Sequence, residues 1–190
     1  SGTDGEGVTL SQASVLEFTL TGIAPATAAS VFVGAGAVVD VNAGTIDTAD
    51  AVGFSASVSS LTLVLVTDDA RSYTGLAISG LNADLVGIDG LVARATNVNV
   101  QVNQAADPAV VLPATPERLD WAAYTPSGDN PDLPTLGGLT DSVLLHADGN
   151  LAVDLFGFVA VLAHFELSKY ETSGTDGEGV TLSQASVLEF

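Results

Sequence analysis

Apolar residues in this chain recur at every second position far more often than at helical spacing. Val8, Leu10, Leu16, Phe18 and Leu20 share one parity, while Thr9, Ser11, Glu17, Thr19 and Thr21 occupy the other, the signature of a strand with one buried face. Val31, Val33, Ala35, Ala37, Val39 and Val41 continue the period, with small residues that let another backbone come close. GFSASVSSLTLVLV (53–66) leads into the polar turn TDDARS (67–72), and SYTGLAISGLNADLVGI (72–88) is separated by the glycine-bounded GIDG from LVARATNVNVQV (91–102). The pattern predicts a meander of long antiparallel strands. From Val143 to Leu167 one parity is again nearly all apolar, and Asp148-Gly149-Asn150 predicts a hairpin turn that splits it into two strands. Strands near fifteen residues exceed the common length of about 5–6, so the sheet is elongated or its strands bend at internal glycines.

Regularity lapses between residues 104 and 142, which hold Pro108, Pro113, Pro116, Pro126, Pro131, Pro134 and the single tryptophan, Trp121. Proline cannot donate to a ladder. This segment is expected to be an irregular excursion that covers a sheet edge or bridges to a neighbouring unit, with one short strand or helical turn around RLDWAAY (118–124).

One repeat reorganises the reading. Residues 1–18 and 173–190 are both SGTDGEGVTLSQASVLEF, identical at all 18 positions with an offset of 172. Residues 1–172 then form one complete period, and 173–190 open the next identical one, as in a tandem array. Asp176, Glu178 and Glu189 fall in the second copy, leaving 20 acidic and 4 basic residues, a charge of −16, per period. An array of such units is a strong polyanion.

Composition narrows the function classes. Four Lys+Arg stand against 23 Asp+Glu, for a net charge of −19, and a field of that sign repels phosphate backbones; nucleic acid is not an expected partner. Hydrophobic residues make up 47% of the chain and mean hydropathy is +0.43, which suits a folded core rather than a disordered acidic chain. The absence of cysteine excludes disulfide scaffolds, thiol nucleophiles and thiolate metal sites. The apolar run Leu155–Ala163 is nine residues long, short of the roughly 20 a spanning helix needs, and 6% aromatics leave little for the two girdles of a membrane barrel.

Candidate chemistry is sparse. His146 and His164 lie 18 residues apart without an HExxH spacing, so polar strand positions compete with a metal or acid-base role. Asp129, Asn130 and Asp132 in GDNPD, with Asp148 and Asn150 in ADGN, offer hard oxygen ligands and are the calcium candidates; the competing reading is that these residue types simply tolerate tight turns. No other cofactor is expected. GAGAVVD (34–40) lacks the third glycine and following helix of a dinucleotide fingerprint. No nucleophile or acid-base constellation is in sequence register, so an enzyme is not expected. Trp121, beside Asp120 and Tyr124, suits either stacking on a sugar ring or anchoring the irregular segment. Arg94 suits an ion pair within the sheet, and Arg71 neutralises its own DDAR turn.

The segments YTGL (73–76), VGIDGL (86–91), LDW (119–121) and the closing GFVAVLAHFEL (157–167) together resemble repeat units of very large bacterial extracellular tandem-repeat proteins, over most of the period. The resemblance implies secretion and a repetitive surface or filament role, and carries no active-site residues; the calcium-binding nonapeptide common in such proteins is absent. The expected fold is all-β, with long antiparallel strands in a meander or sandwich-like repeat stacked into an extended fibre; a β-solenoid is the alternative. The expected function is a structural repeat of an extracellular or cell-surface filament, sheath or adhesin stalk, with neighbouring copies as partners. Val8, Leu10, Leu16, Phe18 and Leu20 would form the inter-repeat strand that completes the sheet of the preceding unit, so that a single unit lacking residues 1–18 but retaining 173–190 folds as a monomer. The alternative function is a cell-surface module that binds a glycan or another surface.

Overall fold

The computed structural model of the chain describes all residues except 24–27, 112–113 and 176, and the side chain of residue 184; Pro113 and Asp176, noted in the sequence, lie outside the described residues. The strands are β1 (Gly2–Thr3), β2 (Thr9–Leu10), β3 (Ser14–Leu20), β4 (Ala29–Ala35), β5 (Val38–Asp40), β6 (Thr45–Asp47), β7 (Val52–Val58), β8 (Ser60–Asp68), β9 (Arg71–Val86), β10 (Leu91–Ala106), β11 (Thr125–Pro126), β12 (Val143–Leu155), β13 (Val159–Thr175) and β14 (Thr181–Glu189). The fold is all-β, and every ladder is antiparallel. The parallel coils of a solenoid are therefore not formed by the described residues. No helix among them is long and apolar enough to cross a membrane.

Nine strands build one broad sheet in the order β14-β13-β12-β10-β9, after which β9 pairs with β8 along its first half and β7 along its second. β3 lies on β8 and β4 on β7. β3 and β14 thus sit at opposite edges. A small sheet β11-β1-β2 and a separate β5-β6 hairpin complete the structure.

Local chemistry explains where strands end. Asp69, at φ 55°, and Ala70 form the two-residue turn between β8 and β9. The run 53–66, which reads as one strand, breaks at Ser59: its N–H donates to Ser79 O at 3.1 Å, and Gly80 opposite takes φ 60°. The hairpin expected at Asp148-Gly149-Asn150 is corrected, because these residues stay extended inside β12. Asp148 accepts from Asn99 Nδ2 at 3.2 Å and Asn150 pairs with His164 Nδ1 at 3.3 Å, so both turn-forming side chains are engaged across strands. The chain reverses instead at Phe156 and Gly157, both at positive φ, where Asp154 Oδ1 accepts from Gly157 N–H at 2.8 Å.

The core is confined to one end of one face. Val64 and Val66 of β8 and Tyr73 of β9 pack with Val8, Leu10, Leu119, Trp121, Tyr124, Leu133, Leu136 and Leu139. The irregular excursion is a lid on the sheet, held by a row of polar side chains on β10. Fully buried Asn103 donates to Leu119 O and Thr140 O, each at 2.9 Å, and accepts from Trp121 Nε1 at 3.1 Å; Gln101 Nε2 donates to Leu136 O at 3.0 Å. Trp121 lies over Gly75 of β9, where a Cβ would come within 2.7 Å of its ring. The RLDWAAY stretch forms turns rather than a strand or helix.

Elsewhere the sheet is open. The surface is 11393 Å², against about 8,400 Å² for a typical folded monomer of this mass. Its exposed apolar residues include Val31 and Val33 near one edge and Phe158, Val161 and Leu162 near the other.

Trp121→Ala is expected to cost about 3–5 kcal/mol by removing the centre of this core. Trp121→Phe should cost about 1–2 kcal/mol, because Asn103 Oδ1 loses its donor. Urea unfolding followed by circular dichroism measures both; an unchanged midpoint for Trp121→Ala would show that the lid adds nothing to stability.

Candidate functional site

The two copies of the 18-residue segment form the feature of greatest interest. Each folds into the same hairpin. In the first copy Gly2 pairs with Leu10 and Thr3 with Thr9; in the second Gly174 pairs with Leu182 and Thr175 with Thr181. Thr3 Oγ1 accepts from Gly5 N–H at 3.0 Å, and Thr175 Oγ1 from Gly177 N–H at 3.3 Å. Gly5 and Gly177 adopt φ 79° and 80°, a conformation that glycine supplies without strain. The sequence therefore favours the hairpin locally, through the threonine–glycine bond that both copies make.

The surroundings differ sharply. Val8 and Leu10 are each 2% exposed, whereas their equivalents Val180 and Leu182 are 57% and 47% exposed. The first copy is seated by two carboxylates. Asp4 Oδ1 accepts from the N–H groups of Glu6, Gly7 and Val8 at 3.0–3.2 Å, while its Oδ2 accepts from Asp120 N–H at 3.2 Å, tying the hairpin to the lid. Asp68 Oδ1 accepts from Ser11 and Gln12 N–H, each at 3.2 Å, and Oδ2 pairs with Arg71. Burial pushes the Asp68 carboxyl up, but the Gln12 and Ser11 N–H groups and the Arg71 guanidinium outweigh it and hold it below its ordinary 3.8.

This second clip bends the chain between β2 and β3. The expected single strand from Val8 to Leu20 is therefore two: Val8 and Leu10 enter the core, while Leu16 and Phe18 on β3 stay exposed and Leu20 is half-buried. In this chain Val8 and Leu10 fill the core, and Leu16, Phe18 and Leu20 lie on β8. The second copy, as β14, lies on β13 of the unit that precedes it in sequence.

The calcium candidates fall in two places. Asp129, Asn130 and Asp132 lie in an exposed turn, where Asn130 Nδ2 donates to Ser1 Oγ at 3.2 Å and Asp132 accepts from Leu133 N–H at 2.9 Å. Asp148 and Asn150 are half-buried on β12 with the partners given above. The structure gathers a different acidic group: Glu6, Asp120 and Asp141 bring one carboxylate oxygen each within 4.8 Å of one another. Three such oxygens can attract a hard cation, though calcium takes 6–8 ligands. Arg118 stands beside them, donating to Asp141 O at 2.6 Å and pairing with Glu171 at 3.2 Å.

His146 meets Ser168 Oγ at 3.0 Å and Asp148 at 3.6 Å, as a polar strand position does. Arg94 pairs with Asp84 across β9 and β10, largely exposed. Trp121 is 1% exposed, so it is an anchor and its face is closed to a sugar ring. No protein family, curated protein or solved structure matches the chain.

Two outcomes follow. Leu10→Ala should cost about 2–4 kcal/mol and Leu182→Ala under about 1 kcal/mol in this chain, despite their identical sequence contexts, because only Leu10 is buried; paired urea titrations measure the difference. Asp68→Ala should cost about 2–3 kcal/mol by stripping two buried N–H groups and Arg71 of their acceptor. Since the folded Asp68 carboxyl titrates below 3.8, its contribution is complete above that value and disappears as pH falls through the folded one. The gap between wild type and Asp68→Ala, followed from pH 6 to about pH 2, should close at the acid end.

Proposed function

We propose that the chain is a structural repeat of an extracellular filament, sheath or adhesin stalk, in which identical units are joined in tandem at their sheet edges. The observation that carries this reading is the duplicated hairpin, folded alike at both edges but buried at one and exposed at the other. A segment that shapes itself before it is covered suits a unit whose neighbour supplies the cover. Complementary surfaces joined head to tail extend into a fibre when their rotation does not close a ring.

The excess surface has the size such a role requires. Roughly 3,000 Å² beyond a typical monomer of this mass lies within the 2,000–5,000 Å² range of obligate interfaces. Exposed apolar residues at both edges support a contact between neighbours there. A charge of −16 per period keeps separate fibres apart while each one grows.

Chains of one, two and three periods, each ending on the same 18 residues, test the reading. Nearest-neighbour coupling predicts that the urea midpoint rises with the number of periods. Equal midpoints for all three would mean independent units on a string and would contradict it.

A further inference from the structure

We infer that adjacent units share one strand: residues 181–189 remain on β13 of the unit before them while residues 186–189 take, in the unit they open, the place that Ser14–Glu17 of β3 take on β8. The inference deepens the array reading and rests on it. It requires the two copies to use opposite edges of the same strand, and the backbone pattern supplies that condition.

On the first copy, β8 and β9 meet in a two-residue loop with Asp68 opposite Arg71. The residues flanking such a loop form a hydrogen-bonded pair, and bonded positions alternate along an antiparallel ladder. Even-numbered residues of β8 therefore turn their backbone groups to β9, and odd-numbered ones to β3. Through the pairs Thr67 with Ser14, Leu65 with Leu16 and Leu63 with Phe18, the even residues of β3 face β8. Val15, Glu17 and Thr19 face the other edge, where no strand among the described residues lies.

On the second copy, Phe156 N–H donates to Gly90 O at 2.6 Å, in register with the pair Asp154 and Val92. Even residues of β12 thus face β10 and odd ones face β13. The ladder from Leu155 with Val159 to Leu145 with Lys169 then assigns odd residues of β13 to β12 and even ones to β14. Ser168 pairs with Glu189, Tyr170 with Val187 and Thr172 with Ala185. The residues of β14 that face β13 are the equivalents of 13, 15 and 17, and of these 15 and 17 belong to the set left open in β3. The hairpin is in the same register in both copies, and the change asked of the second is the bend that the first makes between β2 and β3.

A shared strand makes the sheet continuous from unit to unit. Each period then contributes β3, β8, β9, β10, β12 and β13 across the fibre axis. Six strands at about 4.8 Å advance roughly 29 Å per unit, with the strands perpendicular to the axis. Units joined end to end along their strands would instead advance about 53 Å, the length of the 16-residue β9 and β10 at about 3.3 Å per residue.

Amide hydrogen exchange on this chain and on a chain of two periods tests the inference, with small-angle scattering of one to three periods alongside. In this chain Val187 and Glu189 should be protected and Ser186 and Leu188 fast. In two periods Ser186 and Leu188 should slow by about 100-fold or more while Val187 and Glu189 stay protected, and each period should add roughly 29 Å. Gain at 186 and 188 with loss at 187 and 189 would mean that the segment leaves β13 to reach β8, overturning strand sharing while leaving the array intact. An unchanged exchange pattern, without any rise in stability, would overturn both.

Discussion

Asn103, fully buried on β10, holds the proline-rich lid to the sheet through both of its side-chain polar atoms, and the rest of the core depends on that attachment. The lid has almost no ladder of its own, since β11 is two residues long. Its backbone carbonyls must find donors elsewhere, and the amides of Asn103 and Gln101 provide them. With the lid fixed, Trp121 can settle over Gly75, and a slot opens that only Val8 and Leu10 of the hairpin fill. Asp4 then links the hairpin to the lid at Asp120. In the proposed array fold and assembly are one problem: the slot that completes a unit's core would receive a segment that also lies along the edge of the unit before it.

This arrangement gives the hairpin an unusual physical requirement. It has to hold its shape while exposed and still bury two large apolar side chains when seated. Short-range hydrogen bonds meet the first need, since Thr175 Oγ1 and Gly177 N–H close the turn without help from the lid. Val180 and Leu182 meet the second, at the cost of exposed apolar surface in any unit without a successor. Exposed edges invite indiscriminate pairing, and a net charge of −19 opposes it.

The sequence revealed the parts of the sheet that depend on neighbours in the chain. The turns at Asp69 and GIDG and the long strands of β9 and β10 follow from alternation and turn residues alone. The duplicated segment was legible as a candidate by identity. Its two fates were not, because the bend after Leu10 depends on Asp68, 57 residues away from Ser11. The seat was hidden for a related reason. Asn99, Gln101 and Asn103 read as a solvated strand face, yet Gln101 and Asn103 hold the lid, and a polar row that binds carbonyls looks in sequence like one that binds water. Asp148-Gly149-Asn150 carried a turn signal that cross-strand partners overrode, while the true reversal at Phe156-Gly157 was masked by its apolar neighbours.

The central claim is that the slot and the segment that fills it are separable and recur along a tandem series. Sedimentation of a variant lacking residues 1–18 tests it most directly, because that chain keeps an open slot and a spare copy of the segment at 173–190. The account predicts a concentration-dependent ladder of open-ended polymers, which an excess of the free peptide SGTDGEGVTLSQASVLEF returns to single chains. A folded monomer at all concentrations, or polymers indifferent to the peptide, would contradict it.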